Sequence, residues 1–192
     1  KQTCFFAARN GRLNCLQYAI ANGCAWDKDV ACNGAARWGH LDCLRYLHQL
    51  EGGAALHGRV CEYAAKGGHL DCLVYLCETG SVPNELAASV AAKYGHLNCL
   101  AYLRDRGCPW DAYAAQCAAS NGDVPMLTYL HDRGCPWDAL SPHAAAANGH
   151  LPALRYLHEH GCPWDERATR LATVYGHLPT LQYLCENGCP PP

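Results

Sequence analysis

Missing from this 192-residue sequence are an excess of charge of either sign, long apolar runs and any Asn-x-Ser/Thr glycosylation acceptor. Lys plus Arg number 15 and Asp plus Glu number 17, a formal net charge of −2. A near-neutral chain advertises no general affinity for nucleic acid or anionic membranes. No apolar stretch approaches the roughly 18 residues that a bilayer crossing requires. The opening KQTCFFAARNG lacks the layout of a signal peptide. A phosphate-cradling loop, an isolated pair of acids and a nucleophile–base–orienter set are absent too. Catalysis, a cofactor and a metal are therefore not expected.

Cysteine, by contrast, is abundant. There are fifteen, an odd number, in a chain that is 50% hydrophobic. Their spacing follows a repeat, not a pairing scheme. The string GCPWD stands at Gly107–Asp111, Gly134–Asp138 and Gly161–Asp165, 27 residues apart each time. Gly-His-Leu-like strings give a second register, anchored at Gly11, Gly39, Gly68, Gly95, Gly122, Gly149 and Gly176. Fixed periods of this length mark a stacked-repeat architecture.

Each unit reads as two helices. An alanine pair lies four and three residues before the anchor in six units, and Ala172–Thr173 in the seventh. It belongs to a short Ala-rich helix, which Asp111, Asp138 and Asp165 are placed to cap. Pro142 falls inside one such helix, which should start late or have a tight first turn. After the anchor, the apolar residue two on, leucine five on and leucine eight on share one face of a second helix, with tyrosine seven on in every unit. Pro125, Pro152 and Pro179 suit its first turn. Gly107, Gly134, Gly161 and Gly188 end it as left-handed caps. One such pair cannot bury its apolar face alone, but stacked pairs can.

The expected fold is an all-α solenoid of seven helix-turn-helix repeats, a single domain spanning 1–192. The repeats run approximately 1–22, 23–52, 53–79, 80–106, 107–133, 134–160 and 161–187, with a Pro-rich end at 188–192. The first unit lacks its leading loop, as a fragment of a longer array would.

These units resemble ankyrin repeats. GHLPALRYLHEHG (Gly149–Gly161) matches the second-helix pattern of that family, Ala145–Ala146 and Asn148 match the end of its first helix, and His143 falls where its Thr-Pro-Leu-His histidine falls. The departure is length: an ankyrin unit has about 33 residues, and most of these have 27. GCPWD replaces the stretch that forms a β-hairpin finger in ankyrins, so the shortened loops should lack hairpins. Extra residues at Gln49–Gly53 should concentrate irregularity there. The pattern looks like the short divergent ankyrin-type repeats of protists and giant viruses. The resemblance implies protein–protein interaction and does not name the partner.

GCPWD itself has two readings. As a corner, glycine permits positive φ, proline stiffens the turn, aspartate caps the next helix, and tryptophan staples onto that helix. The alternative is an aromatic ladder that binds a ligand. The His-x-x-Cys pairs His40/Cys43, His69/Cys72 and His96/Cys99 likewise read as core thiols or as zinc ligands. Met126, Ala153 and Thr180 occupy the cysteine register in later units, which favours packing. Helices stacked about 8–10 Å apart disfavour both zinc and a disulfide ladder. The corner histidines should hydrogen-bond to backbone. Reduced core thiols point to a reducing compartment, cytoplasm or nucleus.

Binding is expected on the concave face and loops. Positions nine, six and two before the anchor form a stripe whose residues vary while the framework repeats. The candidate partner-binding residues are Arg9, Asn33, Arg37, Glu62, Lys66, Ser89, Lys93, Tyr113, Gln116, His143 and Arg170, among which Arg9, Arg37, Lys66 and Lys93 form a basic row; the alternative is a solvated face that binds nothing. The expected function is a non-catalytic protein–protein interaction scaffold. The alternative is a structural subunit or spacer in a large assembly. A protein partner is expected, with no membrane and with nucleic acid disfavoured.

Overall fold

The structure, a computed structural model, describes residues 2–50, 52–53 and 55–191. Among them there are fourteen α-helices and no strand. The chain falls into two compact units, Lys1–Pro109 and Trp110–Pro192. The first holds α1 (Gln2–Arg9), α2 (Leu13–Ala21), α3 (Lys28–Arg37), α4 (Leu41–Leu50), α5 (Arg59–Gly67), α6 (Leu70–Glu78), α7 (Glu85–Lys93) and α8 (Leu97–Asp105). The second holds α9 (Ala112–Asn121), α10 (Val124–Asp132), α11 (Leu140–Ala147), α12 (Leu151–Glu159), α13 (Glu166–Val174) and α14 (Leu178–Glu186).

Within each unit the odd-numbered helices pack side by side in one row and against their own even-numbered partners. The even-numbered helices form the second row. The fold is the expected all-α repeat solenoid, with no hairpin in the described loops.

The alanine pairs are sealed, from Ala7–Ala8 to Ala145–Ala146, because a methyl group is what lets adjacent first helices approach closely. In the second to sixth repeats the sealed residues of the second helices are the leucines five and eight after the anchor, such as Leu44 and Leu47, and in every repeat but the first the residue four after it is sealed: Cys43, Cys72, Cys99, Met126, Ala153 or Thr180. That last register is a packing site that tolerates a thiol, a thioether, a methyl or a hydroxyl. The apolar residue two after the anchor is only half-buried in six repeats, and Leu178 is exposed. It lies at the margin of the buried face rather than at its centre.

First helices begin as their sequences dictate. Asp27 accepts from Val30 N–H at 3.1 Å, Asp111 from Tyr113 N–H at 3.1 Å and Asp165 from Arg167 N–H at 2.9 Å. Asn84 does the same for Ala87 at 3.3 Å. Asp138 accepts from Leu140 N–H, but α11 starts one residue later, with Ala139 as its cap. Pro142 accounts for the delay, as expected, since its ring has no N–H to donate. The α5 helix lacks an acidic cap; the His57 ring accepts from Arg59 N–H at 3.2 Å instead. Of the irregularity expected at Gln49–Gly53, Glu51 lies outside the described residues. Gln49 and Leu50 extend α4, and Gly52 and Gly53 both turn at positive φ.

Each repeat reverses direction twice at a left-handed glycine. All seven anchors have φ between 66° and 75°. In five cases the face of that glycine receives the corner histidine of the next repeat: His40 on Gly11, His69 on Gly39, His96 on Gly68, His150 on Gly122 and His177 on Gly149. The His177 ring also donates from Nε2 to the Ala147 carbonyl at 3.0 Å, the backbone bond expected of these histidines.

The second reversal explains the cysteine of GCPWD. Gly107 N–H returns to the Arg104 carbonyl and Cys108 N–H to the Leu103 carbonyl, a Schellman closure. The closure turns the thiol inward, and it donates to a carbonyl at the start of the preceding first helix: that of the cap residue in three cases and of Asp138, just before the Ala139 cap, in the fourth. Cys108 reaches Asn84 at 3.1 Å, Cys135 reaches Asp111 at 3.4 Å, Cys162 reaches Asp138 at 3.4 Å and Cys189 reaches Asp165 at 3.2 Å. Only the protonated thiol can donate. Burial enforces that form, pushing Cys108 and Cys189 up to about 11 and Cys162 up to about 12. Burial pushes Cys72 to about 12 and Cys99 to about 11 in the core register.

Cys77 is the contrast. A hydrogen bond with the Cys61 thiol, aided by the Arg106 charge, pulls it below the ordinary thiol range against the opposing effect of burial. Native-state alkylation at pH 7.5 should therefore label Cys77 and the exposed Cys15, Cys24 and Cys185 first. Cys108, Cys135, Cys162 and Cys189 should react only on unfolding. Peptide mapping that finds the corner thiols labelled as fast as Cys77 would contradict the thiol–carbonyl bonds.

The two kinds of glycine also separate by mutation. An alanine Cβ at Gly161 meets nothing within 4 Å, whereas at Gly149 it meets the His177 ring at 2.5 Å. Gly161→Ala should cost about 1–2 kcal/mol, the left-handed backbone penalty alone. Gly149→Ala should cost roughly 1–3 kcal/mol more. Denaturant midpoints compare them, and equal losses would mean that the histidine contact is not formed.

Candidate functional site

The predicted stripe runs along the first helices and divides by burial. Tyr113, Lys93 and Arg170 are exposed, and Arg9, Asn33, Arg37, Glu62, Lys66 and Gln116 are half-buried. Ser89 and His143 are buried and do not present themselves to a partner. Both sit six before the anchor. His143 bonds through Nε2 to Asp165 Oδ1 at 2.6 Å. Glu62, at the same register, accepts from Asn84 Nδ2 at 3.0 Å. In both cases the side chain ties one repeat to the residue that caps the next helix, so His143 and Glu62 serve stacking.

The basic members of the stripe come together with aromatic residues that the sequence reading did not select. Trp38 and Tyr94 stand one residue before their anchors and are 47% and 43% exposed. The Arg9 guanidinium lies over the Trp38 ring at 5.0 Å and that of Arg37 at 5.9 Å. Lys66 Nζ lies over the Tyr94 ring at 5.1 Å. A hydrogen bond from Lys66 holds the Tyr94 phenol below its usual range, and the charges of Lys66, Lys93 and Arg37 add to the effect. Register was the signal available: this position holds Asn10, Trp38, Gly67, Tyr94, Asn121, Asn148 and Tyr175. It varies as the stripe does.

Beside this row the first unit has a cavity of about 380 Å³, lined by Phe5, Arg9, Val30, Asn33, Gly34, Arg37, Trp38 and Tyr63. Five of these eight belong to the predicted stripe positions. Gly34 makes the room, since a Cβ there would stand 3.1 Å from the Phe5 ring.

The tryptophan corners lie with the second helices. Trp137 stacks on His131 at 4.4 Å and meets Tyr156 edge-on at 6.5 Å. Trp164 stacks on His158 at 3.9 Å and meets Tyr183 edge-on at 6.3 Å. Trp110 meets Tyr129 edge-on at 6.4 Å. These ring contacts run to the second helices before and after the loop, not to the first helix that the tryptophan was expected to staple. The loop is too short to fold the indole forward, and flat stacking on the preceding histidine is within reach. The rings join successive repeats, which supports the corner reading of GCPWD.

Family models of ankyrin repeats match residues 113–191, as three copies, and residues 88–131, as part of a model of many copies. The crystal structure of the human ASB11 ankyrin repeat domain superposes with a TM-score of 0.73 over 98% of this chain and 99% of that one, at 22% identity. The chain belongs to the ankyrin-repeat family. No curated protein matches it. Likeness to ASB11 at that identity carries the fold alone. Ankyrin repeats are in general protein–protein interaction modules, typically non-catalytic. Among the described residues no helix is long and apolar enough to cross a membrane.

Replacing Lys66 by methionine removes both the hydrogen bond and the charge beside Tyr94. The Tyr94 phenol should then titrate closer to its ordinary value of 10.0. Ring-carbon NMR against pH reads this directly. An unchanged midpoint would mean that Lys66 does not rest on Tyr94 in solution.

Proposed function

We propose that this ankyrin-repeat array is a non-catalytic recognition module that binds an acidic segment of a protein partner along the first-helix face of its first unit. One observation carries the reading. Arg9, Arg37 and Lys66 rest on exposed aromatic faces, and none has a carboxylate partner among the described residues. Surface cations ordinarily find nearby acids or extend into water. Here the aromatic rings orient them in a row, with no carboxylate beside them to neutralise the charge. An extended acidic chain can follow basic groups in successive repeats at about 3.3 Å per residue. In the second unit Tyr113, nine before its anchor, and Gln116 and Arg170, six before theirs, hold other varied positions of the stripe and are proposed to contact a partner there. The buried, protonated thiols fit a reducing compartment, which we include in it.

The test is the triple change Arg37→Glu, Lys66→Glu, Lys93→Glu. None of the three side chains is buried, and charges at the surface add little to stability, so helicity and melting should stay near those of the parent. Affinity for a fluorescent poly-glutamate peptide should fall by at least tenfold, about 1.4 kcal/mol, and its salt dependence should flatten. A folded variant with unchanged affinity and salt dependence would refute the proposal and return attention to the tryptophan corners.

A further inference from the structure

A basic row alone would need only a flat surface, and the first unit has a cavity of about 380 Å³ beside it. Phe5, Trp38 and Tyr63 give it aromatic walls. Its room comes from Gly34, where the same register in the other repeats carries Phe6, Tyr63, Val90, Cys117, Ala144 or Leu171. Gly34 has no positive φ that would require glycine. Its backbone is ordinary helix, where glycine costs about 1 kcal/mol relative to alanine. The missing side chain serves space, not conformation.

Two polar features restrict what can fill that space. Arg9 and Arg37 flank Trp38 and line the cavity, with no carboxylate partner among the described residues. Asn33 also lines it, and its Oδ1 is buried without a hydrogen-bond partner. An orphaned buried acceptor is costly, and a donor brought to it recovers that loss. The terminal torsion of asparagine is soft, so a small rotation presents the oxygen to an incoming group.

The geometry points to a socket for one tyrosine side chain flanked by carboxylates. This rests on the acidic-segment reading above and adds the residue that anchors the segment. The ring packs among Phe5, Trp38 and Tyr63, as aromatic anchors do in protein interfaces. The phenol O–H donates to Asn33 Oδ1, and the neighbouring carboxylates take N–H donors of Arg9 and Arg37. An aliphatic occupant would leave Asn33 orphaned, and a basic one would face two guanidiniums.

Fluorescence polarisation tests the socket with four labelled peptides: tyrosine between two glutamates on each side, the same with phenylalanine, the same with alanine, and tyrosine between lysines. Tyrosine between glutamates should bind best. Phenylalanine should bind about tenfold more weakly and alanine weaker still. The lysine-flanked peptide should not bind. Gly34→Leu fills the cavity, and Tyr63→Ala opens a wall should the first variant fail to fold. In either folded variant the preference for tyrosine over alanine should shrink at least fivefold, while a salt-dependent response to the glutamates remains. Equal binding of the tyrosine, phenylalanine and alanine peptides, still lost at high salt, would overturn the socket and leave the acidic-segment reading standing. Absence of binding by every glutamate peptide would overturn both.

Discussion

Everything in this molecule depends on chain reversals that an ordinary L-residue makes only under strain. Each repeat ends its first helix at one left-handed glycine and its second at another, and both must hold if the helices are to lie in two rows. A left-handed residue with a Cβ costs roughly 1–2 kcal/mol. Over seven repeats such a penalty would rival the whole stability of a domain, about 5–15 kcal/mol. Glycine removes the penalty, and the bare face it leaves is used. Histidines from the next repeat lie against the anchor glycines at five inner corners. At four corners that end second helices the turn delivers a thiol to a carbonyl at the start of the preceding first helix. Local chain reversal and contact between repeats are thus one interaction.

GCPWD is that arrangement in five residues, and no reactive chemistry is needed to account for it. Glycine reverses the chain, and cysteine bonds to the previous repeat. Proline restricts the corner, tryptophan meets the tyrosine of the following second helix edge-on, and aspartate accepts from an N–H at the start of the first helix that follows. The unit beginning at Gly80 has Ser81 where the GCPWD units have cysteine, buried with its hydroxyl unpaired, and uses Asn84 as the cap. The corner survives that loss because the glycine and the cap remain. Such economy explains how a repeat of 27 residues, not about 33, still stacks as an ankyrin repeat.

With the framework carried by corners and alanine pairs, the first-helix face is released from packing in most of its positions. It is not wholly released. Six residues before the anchor, Glu62 and His143 bond to the next repeat's cap, and Ser89 is covered. Variation along that register therefore mixes recognition with stacking. Two residues before the anchor the face is open, and in the first unit its cations settle on tryptophan and tyrosine rings.

The sequence by itself determined the period, the two helices of each repeat, the glycine and aspartate positions that bound them, and the registers that had to be buried. These are local matters: backbone φ, capping and helical periodicity are properties of neighbouring residues, and a seven-fold repetition shows them seven times. The basic row was legible for the same reason. Only the tertiary structure decided what each varied residue does. That Arg9 rests on Trp38, that Gly34 opens a cavity walled by Phe5 and Tyr63, and that His143 is turned to Asp165 all depend on side chains from repeats about 20–30 residues apart meeting at a few ångströms. Periodicity fixes the face on which a side chain lies. Its partner is set by the packing of the adjacent repeat, and no local pattern encodes that distance.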